Sequence, residues 1–143
     1  QSHIDQAGLG SRIKVIPEFV DTAEFLAGAD VFCFPAENEA MGTPLIEALS
    51  SGTPVIANAN EPSFTEWIIN GENGFLASLI PEQWASNIQT AAYYSESRRT
   101  RITRSIKDRI STETIDEYYV RLMTALVNSK PEDRIRVAEV LNA

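Results

Sequence analysis

Cysteine is nearly absent: the 143-residue chain holds one, Cys33. That excludes an internal disulfide and a thiolate zinc site, and it points to a reducing, cytoplasmic setting. Glycine and proline are scarce, seven of each, so collagen-like and low-complexity chains are ruled out. No apolar run approaches the ~18–20 residues of a membrane span, and no signal peptide is recognisable. Positive charge is missing over a long stretch, with no lysine or arginine between Lys14 and Arg98. Residues 1–70 carry ten acids and two bases, whereas residues 71–143 carry ten of each, for a net charge of -8. The acidic front half argues against non-specific binding there to nucleic acid or anionic lipid.

What is present is ordinary for a folded domain: 43% apolar and 22% charged residues. A chain of this length buries roughly two thirds of the surface its unfolded form exposes. It opens on Gln1 rather than methionine, and the expectation is a piece of something longer.

Short apolar runs alternate with helical patterns, which predicts βαβ units and a parallel sheet. Arg12-Ile13-Lys14-Val15-Ile16 reads as a first strand ended by Pro17. A short helix opens at Asp21-Thr22-Ala23-Glu24, and Asp30-Val31-Phe32-Cys33-Phe34 reads as a strand covered on both faces. Thr43 is placed to cap a helix beginning at Pro44, which Gly52 ends. Pro54-Val55-Ile56-Ala57 and Gly74-Phe75-Leu76 complete the strands. Between them, Ser63-Phe64-Thr65-Glu66 has the form of a capping box. Helices are predicted over about 82–94, 97–110 and 113–128, then a charged tail helix from Pro131.

In open parallel sheets, ligands bind outside the carboxyl ends of the strands. The amides of Met41, Gly42 and Thr43 are expected at a helix N-terminus, where the dipole favours an anion. Glu39 precedes that helix, and Glu47 lies about 6 Å along its axis from Thr43. Carboxylates accept paired hydrogen bonds from vicinal hydroxyls of the kind that sugars and riboses present. Two of them beside an amide receptor for phosphate point to a nucleotide-sugar site.

Glu39 and Glu47 stand with seven residues between them in Glu-Ala-Met-Gly-Thr-Pro-Leu-Ile-Glu, followed by Ser51-Gly52-Thr53-Pro54-Val55-Ile56-Ala57. With Glu66-Trp67-Ile68-Ile69-Asn70-Gly71-Glu72-Asn73-Gly74-Phe75-Leu76, these motifs make residues 31–77 similar to a known family. They resemble the donor-binding half of retaining glycosyltransferases with the two-domain B fold, the family-four type (glycosyl transferases group 1). The resemblance implies a Rossmann-like parallel sheet with flanking helices and a helical C-terminal end. Residues 1–128 would be a nucleotide-sugar-binding domain truncated at its N-terminus, and residues 129–143 a tail helix.

The implied activity is retaining transfer of a hexose from a nucleoside-diphosphate sugar to an acceptor hydroxyl, by front-face attack aided by the leaving diphosphate. No cofactor and no metal are implied. Glu39 would take the catalytic position against the transferred sugar, and Glu47 would hold the ribose hydroxyls. Backbone amides of Met41, Gly42 and Thr43 would bind sugar hydroxyls and diphosphate, and Phe19 and Val20 would flank the base. Ala40-Met41 replaces the family's common Gly-Phe, and Asn60-Glu61-Pro62-Ser63-Phe64 replaces a Gly-Gly-containing turn. The Arg and Lys that neutralise the diphosphate in the family have no counterpart here. The resemblance therefore implies a missing N-terminal acceptor-binding domain as partner and a chain inactive by itself.

Plainer roles compete at several positions. Glu66 is read as a helix cap, Cys33 as an inert core thiol, and His3, Asp5 and Glu37 as surface groups. The basic cluster Arg98, Arg99, Arg101, Arg104, Lys107 and Arg109 is read as a solvated helix face, with peripheral membrane contact as the alternative. Ile115, Tyr118, Leu122 and Leu126 have the spacing of a buried stripe, part of which an absent domain would leave open. Two other functions remain open: a non-catalytic partner module with the same fold, or half of another nucleotide-sugar enzyme such as an epimerase.

Overall fold

The computed structural model describes residues 2–128, so the tail helix expected from Pro131 lies outside the described residues. After a short helix α1 (Ser2–Gln6), α2 (Thr22–Gly28) begins where the Asp21 carboxylate accepts the Ala23 and Glu24 N–H groups. Strand β1 (Phe32–Phe34) leads into α3 (Thr43–Ser50), β2 (Val55–Asn58), a 3-10 turn (Pro62–Glu66) and β3 (Gly74–Ala77). Three helices follow: α4 (Pro81–Ala92), α5 (Glu96–Ile110) and α6 (Thr112–Asn128). The three strands form a parallel sheet in the order β1-β2-β3, pairing Cys33 with Ile56 and Ile56 with Phe75. The expected Rossmann-like α/β arrangement is the one observed.

The central strand organises the core. Every residue of β2 is buried, as the middle strand of a sheet covered on both faces requires. Helix α3 packs on β1 and β2, and α4 packs on β2 and β3. The spacing of Leu45, Ala48 and Leu49 turns one stripe of α3 inward. Phe64, Ile102 and Ile106 close over the same cluster.

Helix α3 ends as its sequence predicts. Gly52 adopts φ 79°, its N–H bonds to Leu49 O, and Thr53 N–H bonds to Ala48 O at 2.9 Å, a Schellman stop. A Cβ at Gly52 would also stand 2.9 Å from Thr103 Oγ1, so the same glycine lets α5 close against the end of α3. Helix α5 is further fastened by its arginines. Arg98 donates to Glu72 O, Arg99 to Ala29 O and Asp30 O, and Arg109 to Glu66 O. Arg98 and Arg109 also stack on the rings of Tyr94 and Trp67. Three members of the expected solvated basic face are therefore structural staples, holding carbonyls of the loops below.

Several expectations are corrected. Residues 12–16 form no strand and are exposed, because β propensity yields a strand only where a ladder partner and a covered face exist. Cys33 is exposed rather than in the core. Strand β1 lies at the edge of the sheet and packs only its Phe32 and Phe34 face, through rings 5.7 Å apart with Phe34 5.4 Å from Phe64. Partial desolvation still raises the Cys33 thiol pKa. Thr43 is not the cap of α3; Gly42 is, one residue earlier. The Ser63–Glu66 capping box does not form, since Pro62 begins a 3-10 turn capped at Glu61 without a side-chain bond. On α6, Ile115 and Tyr118 are exposed and Leu122 is half-buried, so the part of the stripe expected to lie open includes its first two members, although α6 does contact α5.

Asn73 supplies a test of the loop before β3. Its side chain is buried, donating to Trp67 O and accepting Ile69 N–H, each at 2.8 Å. Asn73→Ala leaves both backbone groups without partners. The expected loss is about 2–4 kcal/mol, read as a lower denaturant midpoint at unchanged slope.

Candidate functional site

The loop after β1 and the start of α3 form the candidate site, and Gly42 sets its geometry. Gly42 is buried at φ 75°, and a Cβ there would stand 2.8 Å from the Phe64 ring. Only glycine meets both demands. Its carbonyl accepts the first bonds of α3, from Leu45 N–H at 2.9 Å and Ile46 N–H at 3.2 Å. The N–H groups of Gly42 and Thr43 precede those bonds, and Pro44 carries none. An uncapped amide pair thus stands at a helix start with no side-chain cap bond, a suitable rim for an anion.

Along the outward flank of α3 runs a groove of about 360 Å³ with a predominantly apolar lining. Met41, Thr43, Ile46, Glu47 and Ser50 form one wall, faced by Thr22 and Ala23 from the start of α2 and by Ile110 from the end of α5. Glu47 is its single ionisable side chain and is exposed. The buried stripe of α3 forces this arrangement: with positions 45, 48 and 49 inward, positions 43, 46, 47 and 50 face out.

Three of the residues singled out from the sequence therefore meet in one groove, Met41, Thr43 and Glu47, while Gly42 is buried and is not among the lining residues. Glu39 does not line it. Glu39 is half-buried, its N–H bonded at 3.1 Å to Glu61 Oε2 and its carbonyl 3.3 Å from Ser63 Oγ. Phe19 and Val20 are exposed and take no part in the groove. Among the described residues, no three His, Cys, Asp or Glu side chains converge as a metal site. No described helix is long and apolar enough to cross a membrane.

The sequence did not announce the residues that hold the site loop from below. Asn58, buried at the end of β2, donates to Ala36 O at 3.2 Å and accepts Asn60 N–H at 3.1 Å. Asn-x-Asn after a buried strand signals this local turn, but not its grip on residue 36. Glu61 and Ser63 likewise meet Glu39 only because β1 and β2 are neighbours. Ala23 and Ile110 enter the groove through helix packing alone.

The family model described as glycosyl transferases group 1 matches residues 1–108. The chain is 26% identical over 123 residues to the lipopolysaccharide core biosynthesis glycosyltransferase LpsE of Rhizobium meliloti, covering 82% of this chain and 36% of that protein. It is 35% identical over 86 residues to the capsular polysaccharide biosynthesis glycosyltransferase CapH of Staphylococcus aureus, covering 59% of this chain and 24% of that protein. A D-inositol 3-phosphate glycosyltransferase of Jonesia denitrificans shares 30% identity over 94 residues, 64% of this chain and 22% of the relative. These matches span 22% to 36% of the relatives' lengths. No solved structure gives a significant match. The chain belongs to the glycosyl transferases group 1 family.

Proposed function

We propose that the chain is the donor-binding part of a retaining glycosyltransferase, holding a nucleoside-diphosphate sugar while a hexose passes to an acceptor hydroxyl. The observation that carries this reading is that Thr43, at the uncapped start of α3, and Glu47 line the same groove. Amides at a helix N-terminus suit a diphosphate, and a carboxylate one turn on suits a ribose diol. In this reading Glu47 accepts the ribose hydroxyls, and the backbone at Met41, Gly42 and Thr43 receives diphosphate and sugar oxygens. Glu39 meets the hydroxyls of the transferred sugar beside the reacting carbon, and Phe19 and Val20 close on the base. Residues 1–128 act as the nucleotide-sugar domain, with an acceptor-binding N-terminal domain as partner. The setting is cytoplasmic, with Arg101, Arg104 and Lys107 free for a peripheral membrane contact.

No lysine or arginine side chain is among the residues that line the groove. A diphosphate leaving group held by dipoles alone lacks charge compensation that commonly contributes several kcal/mol. A second reading, a non-catalytic partner module, draws on the exposed Phe19 and the exposed apolar side chains of α6.

Titration calorimetry with uridine-, guanosine- and adenosine-diphosphate glucose tests the leading reading. One of the three is expected to bind, and Glu47→Ala to weaken it at least about tenfold through loss of charge-assisted bonds. Absence of binding to all three, or equal affinity in the variant, favours the partner module. The purified chain is expected to release no sugar to acceptors above the uncatalysed rate. Measurable transfer by the chain alone contradicts the requirement for a cation from elsewhere.

A further inference from the structure

We propose that Glu61 is a positioning residue for Glu39, its carboxylate setting the Glu39 peptide so that the side chain is presented to the sugar. This rests on the donor-binding reading and deepens it. Residues 36–42 are held at three points. Asn58 Nδ2 donates to Ala36 O at one end, and the Phe64 ring fills the place of a Gly42 Cβ at the other. Between them, Glu61 Oε2 accepts the Glu39 N–H at 3.1 Å. Ser63 Oγ lies 3.3 Å from Glu39 O and 3.4 Å from Glu61 Oε1, so its single proton is shared between the peptide and the carboxylate. The N–H and the C=O of Glu39, in the two peptide units on either side of its Cα, are thereby engaged by one Glu–Ser pair.

The grip has a conformation to maintain. Asn38, immediately before Glu39, adopts φ 61°. Asparagine tolerates that left-handed state better than most residues, and a bond to the following amide adds to what holds it there. The end points held by Asn58 and Phe64 do not reach Asn38; the Glu61 contact is one peptide away. A charged acceptor on an amide is stronger than a neutral one. It also removes the Glu39 N–H from the set of amides open to a ligand, which leaves the anion to the backbone at Met41, Gly42 and Thr43. Glu61 therefore divides the loop into a part that receives phosphate and a part that directs a carboxylate.

The test uses the 143-residue chain with Glu61→Ala and Glu61→Gln, read by amide hydrogen exchange and by paired titrations. Exchange at the Glu39 amide is expected to accelerate at least about tenfold in Glu61→Ala, less in Glu61→Gln, with Val55 unchanged as a report on the core. The titrations compare each nucleoside-diphosphate glucose with its free nucleoside diphosphate. Glu61→Ala should abolish the extra affinity contributed by the sugar while leaving the free diphosphate unaffected, and Glu61→Gln should restore part of it. Unchanged exchange at Glu39 overturns the proposal. Faster exchange with an unchanged sugar contribution also overturns it, since Glu61 would then be only a structural tie. If the unmutated chain binds none of the nucleotides, the donor-binding reading fails, and the positioning role falls with it whatever the exchange shows.

Discussion

The turn that opens the candidate site follows from one steric demand: the Phe64 ring stands where residue 42 would carry a Cβ. That residue must be glycine, and its left-handed backbone ends the loop from β1 and turns the chain into α3. Because Gly42 rather than Thr43 is the cap, no side chain closes over the first amides of the helix. The turn also fixes the rotation of α3, so that burial of Leu45, Ala48 and Leu49 leaves Glu47 on the groove. Packing on one side of the helix thus sets which side chains line the groove on the other.

A second constraint is the distribution of charge. With no lysine or arginine from residue 15 to 97, the loops around the sheet take their cations from α5. Arg98, Arg99 and Arg109 reach carbonyls of Glu72, Ala29, Asp30 and Glu66. Only one of these contacts is also an ion pair: Arg99 lies 3.7 Å from the carboxylate of Asp30, which is largely exposed. In such a setting the guanidinium acts chiefly as a multiple hydrogen-bond donor. The basic helix accordingly binds the C-terminal layer to the sheet, while the groove keeps a lining of amides, hydroxyls, apolar groups and one acid.

The parts legible in the sequence are those governed by neighbours along the chain. The apolar run at residues 55–57 is a buried strand, the Gly52 stop of α3 forms, and the two glutamates frame the loop and helix that the motif indicated. Misreadings arose where a partner from elsewhere decides. Residues 12–16 have strand composition but no ladder, and Cys33 sits in an apolar run whose second face is uncovered. The capping box at Ser63 does not form because the turn begins at Pro62, and the Ser63 hydroxyl instead meets the Glu39 carbonyl, twenty-four residues away in the chain.

Taken alone, the sequence determined the alternation of strands and helices, the family and the identity of the acids, because periodicity, turn residues and motif spacing are local properties. Which acid faces the groove was decided only by the tertiary structure. Glu47 gains its place from the buried face of its own helix, whereas the Glu39 backbone is bonded by Glu61 and Ser63, which reach it only because β1 and β2 lie side by side. Contacts of that range arise from the register of the sheet, and no spacing along the chain encodes them.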